Sequence, residues 1–242
     1  MLKSINEIIG YDIISNEKED IGKVADFYFD DDTWVVRYLV VDTGSWLRER
    51  KVLISPEALE NPDWMNKNLP VNLTAEGIEN SPPVDKEKPV SRQFEKDLHK
   101  YYGWYPYWAM DSFGILAARM QRKKKRQNDA DPHLRSAREI EGYHIHAEDG
   151  QVGHVEDFIV EDATWIIRYM VVDTRNILPG KKVLLSPEWI TDIDWREAFV
   201  FVDMDKESVK NSPEFNPSDP VNRDYEITLY DYYGRPKYWL RK

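Results

Sequence analysis

Thr33-Trp34-Val35-Val36-Arg37-Tyr38-Leu39-Val40-Val41-Asp42-Thr43 returns as Thr164-Trp165-Ile166-Ile167-Arg168-Tyr169-Met170-Val171-Val172-Asp173-Thr174. In a strand, Trp34, Val36, Tyr38 and Val40 share one face while Val35, Arg37, Leu39 and Val41 share the other. Both faces are largely apolar, so the segment reads as a central β-strand rather than an edge. The interval also holds outward. Upstream, Ile21-Gly22-Lys23-Val24 and Asp26-Phe27 match Val152-Gly153-His154-Val155 and Asp157-Phe158. Downstream, Lys51 to Glu57 matches Lys182 to Glu188, Asp63-Trp64 matches Asp194-Trp195, and Asn80-Ser81-Pro82 matches Asn211-Ser212-Pro213. Tyr101-Tyr102-Gly103 with Tyr107-Trp108 closes the first copy as Tyr232-Tyr233-Gly234 with Tyr238-Trp239 closes the second. A repeat of this size means two copies of one domain. We place them at residues 1–108 and 136–242, with a linker at 109–135.

Within each copy, Ser4 with Glu7 and Ser136 with Glu139 have capping-box spacing ahead of a short helical turn. Strands alternate from Tyr11 and Tyr143, and Gly22 and Gly153 sit in the returning strands of hairpins. Asp30-Asp31-Asp32 reads as a solvated turn. Ser55-Pro56-Glu57 and Ser186-Pro187-Glu188 read as a helix cap, a first-turn Pro and a first-turn acid. Five or six short strands with tight turns predict an all-β chain of two tandem small antiparallel β-barrels. Each carries a short helix and a C-terminal arm rich in Pro and aromatic residues.

The chain has 242 residues, with 33 Lys and Arg against 44 Asp and Glu, a formal charge of −11, and no cysteine. Disulfides, thiol nucleophiles and cysteine-ligated metal sites are therefore excluded. An acidic chain also lacks the basic footprint of a nucleic-acid binder. With 11 Gly there is no phosphate-cradling loop and no G-x-S-x-G elbow, so no cofactor is expected. Asn6, Glu7 and Asp12 interrupt the N-terminal apolar run before it reaches signal-peptide length, and a cytoplasmic protein is expected.

The run of Gly10-Tyr11, Ile21-Gly-Lys-Val-x-Asp-Phe27, Trp34-x-x-Arg-Tyr-Leu-Val-Val-Asp-Thr43 and Lys51-Val-Leu-Ile-Ser-Pro-Glu57 resembles the PRC-barrel domain. That domain is shared by the H subunit of purple-bacterial photosynthetic reaction centres and a ribosome-maturation factor. The resemblance covers about seventy residues of each copy. It implies a compact β-barrel serving as an assembly or docking module, with no catalytic residues to carry over. The expected function is a non-enzymatic interaction protein with an unidentified protein partner; the internal pair could in addition form a homodimer.

Three local features carry alternatives. Trp104 and Tyr105 become Arg235 and Pro236 in the second copy, so the repeated frame does not require them and they are candidate partner contacts. Arg122, Lys123, Lys124, Lys125 and Arg126 form a basic run that could touch a membrane surface or another anion. On that reading the protein is peripheral to the inner membrane, as an accessory of a photosynthetic or electron-transfer complex. His144, His146 and His154 cluster in the second copy, and a His-x-His pair on one strand face could ligate a metal. Their counterparts are Asp12, Ile14 and Lys23, so the shared frame does not need them.

Overall fold

A computed structural model describes residues 1–44, 50–84, 90–110, 133–175 and 180–241. The first copy runs β1 (Leu2–Ser4), α1 (Ile5–Ile8), β2 (Asp12–Ile14), β3 (Asp20–Asp30), β4 (Val35–Asp42), β5 (Lys51–Ile54) and β6 (Asn68–Pro70). Helices α2 (Ala75–Glu79), α3 (Arg92–Tyr102) and α4 (Tyr107–Met110) follow. The second copy runs β7 (Leu134–Ser136), α5 (Ala137–Ile140), β8 (His144–Ala147), β9 (Gly150–Glu161), β10 (Ile167–Asp173) and β11 (Lys182–Leu185). It ends with β12 (Ile190–Asp194), β13 (Phe199–Val202), α6 (Lys206–Asn211) and α7 (Arg223–Tyr232). None of the described helices is long and apolar enough to cross a membrane.

The chain is mostly β, in two mixed sheets of order β5-β4-β3-β2-β6 and β11-β10-β9-β8-β13-β12. The expectation of purely antiparallel, closed barrels is corrected here. β6 joins β2 in parallel, with Asp12 opposite Asn68, and β13 joins β8 in parallel, with His144 opposite Phe199. The reason is the connection: β2 turns tightly into β3, whereas β6 arrives only after β4, β5 and a long crossover, from the same direction as β2. Each hydrogen-bonded order is an open path. The copies differ where Pro62 replaces Ile193. Ile193 pairs with Val200 in β12, but a Pro has no N–H for a ladder, and only isolated bridges at Leu59 and Asp63 remain in the first copy.

By contacts the chain forms two compact units that do not follow the repeat boundaries. One comprises residues 11–25 and 38–134. Its core holds Ile13, Ile21, Tyr38, Leu39, Val41, Val52, Ile54, Leu69 and Leu98, all essentially buried. Gly22 is required there. A Cβ on it would lie 2.2 Å from the Asp42 carbonyl oxygen, and its φ is +143°.

The other unit comprises residues 1–10, 26–37 and 135–242. β1 adds to β9, with Leu2 opposite Glu161 and Ser4 opposite Ile159. Ser4 caps α1 by accepting from the Glu7 N–H and donates its own hydroxyl to Asp157. Ser136 does the same for α5 and Asp26. Trp34 does not begin the strand as its pattern suggested. It closes a turn at φ 57°, its N–H donating to the Asp30 carbonyl at 2.7 Å, and Trp165 repeats this on Glu161. The two turns then exchange bonds: Val36 N–H donates to the Trp165 carbonyl and Ile167 N–H to the Trp34 carbonyl, both at 2.8 Å. Phe29 packs on Trp34 and Phe158, with ring centroids 5.0 and 5.8 Å apart.

The acidic turn is not solvated. Asp30 is 0% exposed and accepts from the Asp32 and Thr33 amides and the Thr33 hydroxyl. Asp31 is paired with Arg135 Nε at 3.0 Å.

Segments from both sides of the linker thus share one hydrogen-bonded, apolar-cored unit. A protease site inserted in the linker is expected to yield two fragments that co-elute on size exclusion without denaturant. Separate elution of the fragments would contradict the exchange.

Candidate functional site

The residues after β6 build an arm in each copy, and one buried glutamate organises it. In the first copy Ser91 caps α3 by accepting from the Phe94 N–H, and Gly103, at φ 71°, ends it. Glu95, Leu98 and His99 fall at helical spacing on its buried face. Glu95 is 0% exposed and accepts from the Tyr107 hydroxyl, with the Tyr38 hydroxyl 3.3 Å from the same oxygen and 2.8 Å from His99 Nε2. Arg92 Nη1 stands 3.2 Å and His133 Nε2 2.8 Å from its other oxygen. The second copy repeats the design. Asn222 caps α7, and Glu226, 2% exposed, accepts from Tyr169 at 2.7 Å and Tyr238 at 2.8 Å while Arg223 pairs with it at 2.9 Å. Burial pushes the Tyr169 and Tyr238 hydroxyls well above the ordinary tyrosine range, so both stay protonated donors. The carboxyl groups of Glu95 and Glu226 are buried while Arg92 and Arg223 reach the surface, so the shared bonds hold each arm from its inner side. Arg92-x-x-Glu95 and Arg223-x-x-Glu226 share the repeat interval with the tyrosines; sequence reasoning missed the glutamates although that signal was present.

The outer layer of each arm is tied down as well. Tyr101 donates to the Gly77 carbonyl at 2.8 Å and Tyr232 to the Ser208 carbonyl at 2.9 Å. The guanidinium of Arg92 lies 4.8 Å from the Trp108 ring and that of Arg223 4.2 Å from Trp239. Of the two candidate contacts, Trp104 is not free. It stacks on Tyr102 at 4.3 Å and meets His99 edge-on at 5.7 Å. Tyr105 is different: 61% exposed, between the packed Trp104 and Tyr107.

The histidines of the second copy do not converge. His144 and His154 are cross-strand neighbours, and His144 Nδ1 is bonded to Gln151 Nε2 at 2.8 Å. His146 Nδ1 faces the Ala147 carbonyl at 2.9 Å, with the ring against Phe199 and Phe201. Asp149, in the turn between these strands, accepts from the Lys206 N–H. Among the described residues no three His, Asp or Glu side chains are grouped to hold a metal ion. The basic run Arg122, Lys123, Lys124, Lys125 and Arg126 lies outside the described residues.

A cleft of about 300 Å³ opens beside Ser4, Glu156, Asp157, Lys182 and Phe215. Glu156 and Lys182 pair at 2.7 Å. Burial raises the Asp157 carboxyl to about 6, against the lowering effect of the Ser4 hydroxyl.

Compared with known families, residues 2–69 match the model described as the PRC-barrel domain. A search of curated proteins gave no match.

Proposed function

From the PRC-barrel domain matched at residues 2–69 we propose a non-enzymatic interaction or assembly module that docks a protein partner through its first aromatic arm. The second copy is proposed as a PRC-barrel-like domain too, which makes the chain a tandem of such domains. Support comes from the strand-for-strand register: Leu39 faces Ile54 as Met170 faces Leu185.

The observation that carries the docking reading is Tyr105. A large aromatic side chain left 61% exposed on a backbone pinned at both flanks is pre-organised for contact, because little conformational entropy is lost when it is covered. The frame does not need it, since Pro236 occupies the same place in the second copy.

The test is affinity capture by the full chain, wild type against Tyr105→Ala. Truncating an anchor of this kind costs about 2 kcal/mol or more of binding, so a partner held by the wild type is expected to be lost from the variant. Undiminished capture by Tyr105→Ala would overturn the assignment. Trp104→Ala is a poorer probe, because it also removes packing from Tyr102 and His99.

A further inference from the structure

The two arms differ at one buried position. His99 of the first copy, 5% exposed, corresponds to Tyr230 of the second, 1% exposed. The His99 ring lies 4.7 Å from Trp108, 5.7 Å from Trp104 and 5.9 Å from Tyr107. Its Nδ1 is 3.2 Å from the carbonyl oxygen of Tyr105, and its Nε2 is 2.8 Å from the Tyr38 hydroxyl. A carbonyl only accepts, so Nδ1 carries the proton and Nε2 accepts from Tyr38. The neutral ring therefore satisfies both neighbours and holds the turn that presents Tyr105.

We infer that His99 is a pH-responsive latch on the first aromatic arm, closed when its ring is neutral and released when the ring is protonated. A second proton on Nε2 turns the Tyr38 hydroxyl to donate to Glu95, 3.3 Å distant, where Tyr107 already donates. It also leaves a cation 5% exposed among the rings of Trp104, Tyr107 and Trp108, a burial that undocking relieves. Groups facing the ring act in both directions. Glu95 on α3 and Glu57, from the turn after β5, favour the cation. Arg92, paired with Glu95, opposes it, and Tyr38 on β4, Tyr107 on α4 and His133 before β7 complete the cluster. Burial outweighs the carboxyl groups and pushes His99 below the usual histidine range.

Because the pKa in the docked arm is lowered, docking is at full strength above the free value of about 6.5 and weakens as pH falls below it. The loss is at most about tenfold per pH unit, ending at the docked pKa. The latch deepens the docking reading by giving its site a regulator. Its test, however, reads the arm and not the partner.

Hydrogen exchange of the full chain between about pH 7.5 and about pH 5.5 supplies that test. The Trp104 amide bonds to the His99 carbonyl at 3.0 Å, and the Arg235 amide bonds equivalently to Tyr230 at 3.0 Å, so their ratio removes the intrinsic pH dependence. Protection of Trp104 relative to Arg235 is expected to fall by up to about tenfold per unit below pH 6.5. His99→Tyr, which installs the second copy's own residue, is expected to abolish that fall, whereas His133→Gln is expected to keep it. A flat ratio in the wild type, or a fall that survives in His99→Tyr, would overturn the latch. Loss of capture by Tyr105→Ala with a flat ratio would refute the latch alone, leaving docking intact.

Discussion

Glu226→Ala is expected to cost the protein about 2 kcal/mol or more, because it strips two buried hydroxyls of their acceptor; Arg223, 48% exposed, turns to water at little cost. The hydroxyls of Tyr169 and Tyr238 are left without the oxygen they share. Each unmade bond adds a desolvation penalty of about 1–3 kcal/mol, while Glu226→Gln keeps one oxygen and should lose less. The first copy predicts an asymmetry. After Glu95→Ala, Tyr38 still has His99 Nε2 at 2.8 Å and Tyr107 still has His133 Nε2 at 3.3 Å. Glu95→Ala should therefore destabilise less than Glu226→Ala. Denaturant unfolding of both variants decides it: a Glu226→Ala loss under about 1 kcal/mol, or the reverse order, contradicts that hold on the arm.

Gly22→Ala should be comparably damaging. Its Cβ would meet the Asp42 carbonyl at 2.2 Å and Thr43 Cα at 2.8 Å, both backbone atoms that move only if the β3–β4 ladder opens. Overpacking of this kind costs about 1–3 kcal/mol, and the strain of a side chain at φ +143° adds about 1–3 kcal/mol. Gly153 supplies a graded control. It meets the Asp173 carbonyl at 2.3 Å without a positive φ, so Gly153→Ala should show the clash alone. Gly10, at φ +87° with nothing within 4 Å, should show the strain alone. If Gly22→Ala proves no worse than Gly10→Ala in the same unfolding assay, close approach is not what selects glycine there.

The repeat, the helix-capping serines, the hairpin glycines and the central strand were all legible, because each rests on chemistry local in sequence. Ser4 and Ser136 cap as their spacing implied. Long-range pairing was not legible. The parallel docking of β6 and β13 depends on where a crossover ends, which no local pattern records. Helix α3 was overlooked because Tyr and Trp drew attention to the arm as an aromatic patch. Ser91, the positions of Glu95, Leu98 and His99, and Gly103 already spelled its start, face and stop. Asp30 looked like solvent-facing charge, since a sequence does not say that three donors will close over one carboxyl group. Trp104 looked free for the same reason Tyr105 did, namely absence from the second copy. The contacts of Trp104 with Tyr102 and His99 separate them.

The most direct measurement is site-specific photocrosslinking from the full chain in native extract. One photoreactive amino acid would replace Tyr105, and in a separate sample another would replace Met65, which is 91% exposed and outside the arm. The account predicts a discrete protein adduct from position 105 and none of the same mass from position 65. No adduct at 105, or the same adduct from both positions, would contradict docking through the first aromatic arm.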